Sequence, residues 1–338
     1  MFMQAYTYDD ILLVPSKSLY SRNDPSLETK LSRNIFIDIP ITSANMDTIT
    51  GYDLAKTLSE MGGVGFLHRN MTIQENCDLV KKCLKEWQIY WSPVIPTVGV
   101  SGNEKQRAEQ LLDLGVSGIC IDIANAYSDR VSEMIKFIRS KNRHVDIIAG
   151  NVASGPAALF LASHGVDAIK VGIGPGSVCT TRRMTGFGVP QLTAVRMVKS
   201  ALVQSKYSDI PVIADGGIKS SGDIVKALWA GASTIMTGKL FAGCKEANDP
   251  NSYRGMASNS ARQVLLNDVD VNTVAEEGIA IEVEDAGSAK DVINELCNGI
   301  RSGMSYAGCK YISELTLSDD VVAVVQTQNG IVESGTRK

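Results

Sequence analysis

Eight short apolar runs rich in β-branched residues recur along the chain at intervals of roughly 25 to 40 residues: IPITSANM (39–46), GVGFLHR (63–69), PVIPTVGV (93–100), GICIDIAN (118–125), VDIIAGNV (145–152), AIKVGIG (168–174), IPVIADGG (210–217) and STIMTGKLFAG (233–243). Near-continuous apolarity marks strands buried on both faces, as in a parallel sheet covered by helices. Between the runs lie helix-like segments such as GYDLAKTLSEMG, NEKQRAEQLLDLG, YSDRVSEMIKFIRSK, SGPAALFLASHG and SSGDIVKALWAG. Several close on glycine, which takes the left-handed cap position most readily. Eight βα units over about 250 residues fit a (β/α)8 TIM barrel better than a doubly wound sheet, which would show about six strands. The open sheet is the alternative that the pattern leaves standing.

The 338 residues are 44% apolar and 21% charged, enough to bury a large core. A net charge of -4 and the lack of long Lys/Arg runs argue against a nucleic-acid or membrane partner and for small molecules. No stretch reaches the roughly 18 uninterrupted apolar residues of a membrane span, and the N-terminus lacks a signal-peptide pattern, so a cytoplasmic protein is expected. Seven scattered cysteines without a CxxC pair, and three histidines, suit reduced thiols rather than a zinc site.

Two stretches fall outside the eight units. Residues 1–38 read as a lead-in that wraps the barrel. Residues 244–287, rich in Asp, Asn, Glu and Ser and poor in periodicity, lie between the eighth strand and its helix (288–303). An insert there projects over the catalytic face and reads as a lid or as a plain surface excursion. No linker marks a second domain, so residues 1–338 are expected to form one barrel domain with an active-site flap at 244–287.

A barrel of this kind carries function at the C-terminal tips of its strands. Asn45 and Asp47 follow the first, His68 and Arg69 the second, Asp122 and Asn125 the fourth, Asn151 the fifth, the Cys179 loop the sixth, Asp215 the seventh and Lys239 the eighth. One polar residue at a tip is more often a helix cap than a ligand, but seven occupied tips together indicate a site. Gly216, Gly217 and Gly238 stand where barrel enzymes bind phosphate, next to a helix start at Ser220 and Ser221, with Lys239 adding a charge. Tight turns are the plainer role for these glycines.

After the sixth strand comes KVGIGPGSVCTTR (170–182), which sets Cys179 on a glycine-rich turn at the barrel mouth. Ser177 and the neighbouring amides can hold an anion while the thiol faces whatever carries it, and Thr181 can pass a proton. No histidine lies near in sequence to act as base, so thiolate formation would depend on the loop amides or on the substrate.

These segments together, with YDDILLVPSKS near the start, ANMDT (44–48), GNV (150–152), ADGGI (214–218), YRGMAS (253–258) and IRSGMSYAG (300–308), resemble the IMP dehydrogenase and GMP reductase family along nearly the whole chain. The resemblance implies that Cys179 attacks C2 of a purine nucleoside monophosphate. It places the phosphate among Ser177, Gly216, Gly217, Gly238 and Tyr253, the ribose on Asp215 with Asn151 beside it, and the base against Gly255 and Met256. It also implies Arg69, Asp122, Asn125 and Tyr127 around a nicotinamide cofactor, a monovalent cation such as K+ on the carbonyls of Gly174, Gly176 and Cys179, and a homotetramer.

Four features are similar to the reductase branch, which converts GMP to IMP and ammonia with NADPH. The segment HRNMTIQENCDLVKKCLKEW runs straight into the third strand without the nucleotide-sensing insert usual in dehydrogenases. The flap SNSARQVLLNDVDVNTVAEEG holds no Arg-Tyr pair of the kind that activates water in them. ANMD and DIANAYS read as reductase forms, and Glu277-Gly278 followed by IAIEV matches the segment whose glutamate, with Thr181, works on the leaving ammonia. An amino group leaves only when protonated, so a carboxyl plus a hydroxyl relay suits that step. Reductases commonly have Lys where Arg69 stands, an arginine at Val274, and Gly-Gly where this chain has Gly238-Lys239. IMP dehydrogenase without its insert and a silent nucleotide-binding regulator are the competing readings.

Overall fold

The computed structural model describes residues 3–87, 93–261 and 275–333. All eight apolar runs are strands: β1 (Ile41–Ser43), β2 (Val64–Leu67), β3 (Ile95–Val98), β4 (Gly118–Asp122), β5 (Asp146–Val152), β6 (Ala168–Val171), β7 (Val212–Asp215) and β8 (Thr234–Thr237). Each pairs in parallel with its sequence neighbour, and β8 closes on β1 through Ile235 to Ile41, so the sheet is a closed barrel and the open-sheet alternative falls away.

Helices α1 (Tyr52–Glu60), α2 (Ile73–Trp87), α3 (Glu104–Asp113), α4 (Asp129–Lys141) and α5 (Gly155–Ser163) follow the first five strands. After β6 come a short α6 (Thr181–Thr185) and then α7 (Gln191–Val203); α8 (Ser221–Ala230) follows β7 and α9 (Ala289–Ala307) completes the eighth unit. Gly62, Gly115 and Gly165 stop α1, α3 and α5 at φ of 80 to 89°, a conformation that costs glycine least.

The strands' two-residue period divides the core in two. Outward residues such as Ile121, Ile147, Ile169 and Val212 pack under the helices, while Val64, Phe66, Ile95, Cys120, Ile148, Ala168, Ile213 and Met236 fill the barrel interior. The lead-in closes the far end: a hairpin of Thr29–Lys30 and Phe36–Ile37 inserts Leu31 and Ile37 into that interior cluster. Farther out, Ile11–Leu13 pairs antiparallel with Ala323–Val325. Among the described residues no helix is long and apolar enough to cross a membrane.

Residues 244–287 are less irregular than their composition suggests. Ser252–Arg254 and Ala280–Glu282 form an antiparallel ribbon, which the alternation in such short segments is too brief to announce. Val274 and the rest of 262–274 lie outside the described residues.

Candidate active site

Beyond β6 the chain makes a turn through Gly172 and Gly174, both in left-handed backbone, and brings Cys179 to the mouth of the barrel. The other six cysteines are buried; Cys179 is half-buried. Its thiol donates to Thr181 Oγ1 at 3.3 Å, and that hydroxyl donates to Glu277 Oε2 at 2.8 Å. Glu277, already expected to act with Thr181, therefore connects to Cys179 through one hydroxyl, 96 residues along the chain from that threonine.

The flap ribbon delivers that carboxylate. Ile279 N donates to Val178 O at 3.0 Å and Thr180 N to Glu277 O at 3.1 Å, which makes a short antiparallel bridge between Cys179 and Gly278. Two glycines let the flap's own segments meet beside that bridge: a Cβ on Gly255 would lie 3.0 Å from Gly278 Cα and from Val178 O, and one on Gly278 3.1 Å from Gly255 Cα. The ribbon is fixed from the other side by Asp47, whose carboxylate accepts Arg254 Nε at 3.0 Å and Nη2 at 2.5 Å and also the Asn70 amide. Beside it the buried His68 stays neutral, because burial pushes its pKa down to about 4 although the Asp47 charge pulls the other way. Arg182 braces the Cys179 loop from beneath, donating from Nε to Ile173 O at 3.1 Å and from Nη2 to Val189 O at 2.5 Å.

The interior just below the mouth is polar. Lys170, two residues after the inward Ala168, is 1% exposed and reaches Asp215 at 2.6 Å and Asp122 at 3.0 Å. Burial favours the neutral amine, but the two carboxylates outweigh it and keep the ammonium charged. Burial would likewise raise the Asp122 pKa, yet Lys170, Asn45 and Arg69 together hold it low. Asn45 Nδ2 donates to Asp122 at 2.5 Å and Asn151 Nδ2 to Asp215 at 2.9 Å. Asn151 Oδ1 is buried without a protein partner.

The predicted phosphate residues converge around the same loop. Gly216 and Gly217 have φ of 88° and 78°, and a Cβ on Gly216 would lie 3.0 Å from Pro175 Cγ and 3.3 Å from Gly176 N. Gly238 lies against the Tyr253 ring and Met46, and Tyr253 itself, buried beside Ser177, has its phenol pushed up to about 12 by that burial. Met256 Sδ lies 3.4 Å from Asp47 N. Lys239 is exposed, and Ser220 caps α8 by accepting Asp223 N at 3.3 Å.

Of the expected cofactor residues, Asp122 is part of the polar floor beside Lys170. Asn125 and Tyr127 line a depression of about 450 Å³ with Ser128, Asp129 and Phe160, the Tyr127 ring lying edge-on to Phe160 at 5.1 Å. Arg69 packs over Gly99, 4.0 Å from Glu104. Both groups stand outside the Cys179–Thr181–Glu277 chain of hydrogen bonds. Lys170, Arg182 and Arg254 were not singled out from sequence. For Lys170 a signal existed, a lone charge at an inward position of an apolar strand; for the two arginines there was none.

The arrangement can generate a thiolate by passing its proton to a carboxylate, beside a glycine-lined cradle for an anion and above a polar floor. Residues 5–337 match the IMP dehydrogenase / GMP reductase domain, and the chain belongs to that family. Inosine-5'-monophosphate dehydrogenase of Cryptosporidium parvum is 35% identical, with 97% of this chain and 94% of that protein covered. The enzyme of the same name from Borreliella burgdorferi is 34% identical over 95% and 94%. That from Haemophilus influenzae is 30% identical over 98% and 95%, in an alignment of 469 positions, so it carries inserted sequence that these 338 residues lack.

Proposed function

We propose that this member of the oxidoreductase family acts on a purine nucleoside monophosphate through Cys179, and that its reaction is the NADPH-dependent reductive deamination of GMP to IMP and ammonia. The observation that carries the reading is the unbroken relay from the Cys179 thiol through Thr181 to Glu277. Attack at purine C2 requires the thiol to lose its proton, and departure of the 2-amino group requires it to gain one. The relay does both: the thiol proton passes by Thr181 to Glu277 as sulfur bonds to C2, then returns to the amino nitrogen as the C2–N bond breaks. Sulfur, purine and proton balance, leaving a thioimidate on Cys179 and free ammonia. General acid–base help of this kind is worth about 10²–10⁴ in rate.

The remaining residues hold the substrate. Ser177, Gly216, Gly217, Gly238 and Tyr253 receive the phosphate, Asp215 and Asn151 the ribose hydroxyls, and Gly255 and Met256 the base. The depression at Asn125 and Tyr127 suits a nicotinamide, offering an aromatic wall and an amide, and Asp122 and Arg69 are assigned to the cofactor with it. When bound, the cofactor supplies the hydride that takes the place of sulfur at C2. The carbonyls of Gly174, Gly176 and Cys179 are oxygen donors suited to K+; that of Gly176 already accepts the Cys179 amide at 3.1 Å and keeps one lone pair. We take residues 1–338 as one barrel domain with its flap at 244–287, cytoplasmic and assembled as a homotetramer.

A second reading is IMP dehydrogenase, IMP and NAD+ going to XMP and NADH, and the names of the relatives favour it. The flap sequence speaks against it, since residues 259–278 hold no Arg-Tyr pair to activate water. Absorbance at the nicotinamide band separates the two. Loss with GMP and NADPH supports the reductase, and gain with IMP and NAD+ replaces it with the dehydrogenase. Binding without either turnover would leave a silent regulator.

A further inference from the structure

We infer that Lys170 is a positioning residue for both halves of the site, one buried ammonium that pairs at once with Asp215 on the nucleotide-ribose side and with Asp122 on the cofactor side. The inference rests on the proposed roles of those two aspartates and adds to them a residue whose side chain is buried between them.

The geometry follows from the pleat. Cys120 and Asp122, Ala168 and Lys170, and Ile213 and Asp215 are each two residues apart on β4, β6 and β7, so all six face the barrel interior, the apolar or thiol member below and the charged member above. Lys170 Nζ lies 3.0 Å from Asp122 and 2.6 Å from Asp215, which brings the two carboxylates within about 6 Å of each other, where like charges disfavour joint ionisation. The backbone is shaped for this side chain: a Cβ on Gly150 would lie 2.4 Å from Lys170 Cβ.

Every element around the ammonium contributes. Asn45 from the loop after β1 donates to Asp122, Arg69 after β2 adds a positive charge on the same carboxylate, and Asn151 on β5 donates to Asp215. Cys120 on β4, its thiol pKa raised by burial, stays neutral beneath Lys170. Among these groups Lys170 alone is shared by both aspartates. Without it two partly buried carboxylates face each other, and the cheapest remedy is to bind a proton. A protonated aspartate is a poorer acceptor for a ribose hydroxyl, so nucleotide affinity becomes dependent on pH.

The test is calorimetric binding of GMP and of IMP, without cofactor, to the whole protein between pH 5.5 and 9, for wild type, Lys170→Met and Lys170→Met/Asp122→Asn. The nucleotide dissociation constant of Lys170→Met is expected to rise about tenfold or more at pH 6.5, as for a carboxylate pair sharing a proton, and to recover as the pH approaches 9. The double variant, left with one carboxylate, should bind at pH 6.5 within about threefold of wild type. Lys170→Gln carries the same expectation where Lys170→Met does not fold. A folded Lys170→Met or Lys170→Gln that binds as wild type, or is weakened equally at every pH, overturns the inference. If wild type itself binds neither nucleotide, the function proposed above fails instead.

Discussion

Replacing Glu277 with Gln is the substitution that discriminates most sharply. It keeps the size of the side chain and its hydrogen bond to Thr181 while removing the carboxylate proposed to receive the thiol proton. The fold has little reason to respond, because the flap is held by backbone bonds that this change leaves alone: Glu277 N to Ala257 O at 3.2 Å and Thr180 N to Glu277 O at 3.1 Å. Relay catalysis worth about 10²–10⁴ corresponds to roughly 2.7–5.4 kcal/mol of barrier. Turnover of Glu277→Gln with the preferred nucleotide and cofactor pair should therefore fall at least a hundredfold, while the nucleotide dissociation constant stays within about threefold. Stopped-flow absorbance gives the rate and calorimetry the affinity. The single-turnover rate of the step that loads the thiol is the decisive readout, since in the proposed mechanism the same carboxylate both takes and returns the proton. If that step keeps more than a tenth of its wild-type rate, the hydrogen-bonded chain from Cys179 to Glu277 is not the route of the proton and the mechanism is wrong.

Cys179→Ala should abolish turnover yet bind nucleotide within about tenfold of wild type, because the thiol contributes a bond in the reaction rather than ground-state affinity; measurable turnover would end the covalent proposal. Gly278→Ala sets a Cβ 3.1 Å from Gly255 Cα and Ser258 N within the flap, so the strand that bridges Cys179 must shift and carry Glu277 with it; we expect kcat to drop at least about tenfold with little change in the melting temperature. A wild-type rate in that variant would show that the contact is not needed for catalysis. His68 gives a pH dependence of stability. Its folded pKa, about 4, lies below the unfolded value of 6.5, so between these limits the unfolded chain binds a proton that the native one does not. Stability is then full above pH 6.5 and falls as the pH drops toward 4, by about 3 kcal/mol at most. Urea denaturation at pH 7.5 and 5 should show this slope in wild type and a shallower one in His68→Leu.

Much of this was legible in the chain because it is local. The eight strands announce themselves by unbroken apolarity, which a strand covered on both faces must have, and their ends by the polar residue and glycine that follow. Cys179 stood out because a thiol directly after GIGPGS has little chance of being packed away, and it is the cysteine left at the surface of the mouth. What failed to appear were pairings across long sequence distances. Arg254 and Asp47 are 207 residues apart, and nothing in YRGMAS says which carboxylate its arginine will find. Lys170 was visible as a letter in AIKV but not as the centre of the floor, since its partners Asp122 and Asp215 come from two other strands. The flap's ribbon was hidden for a similar reason, its two strands being three residues each and separated by residues 255–279.

Apolar period, turn chemistry and strand count act through the few residues on either side of a position, so the sequence by itself determined a barrel, the end of it that carries the chemistry, and the sulfur presented there. Closure of the eight strands decided the rest. Only when β4, β6 and β7 share one interior does a lysine lie between two aspartates, and only when the flap lies along the Cys179 loop does a glutamate reach its threonine. Hydrogen bonds and charge pairs act over about 3 Å in space whatever the separation in sequence, and for that reason the fold, rather than the local pattern, chose the partners.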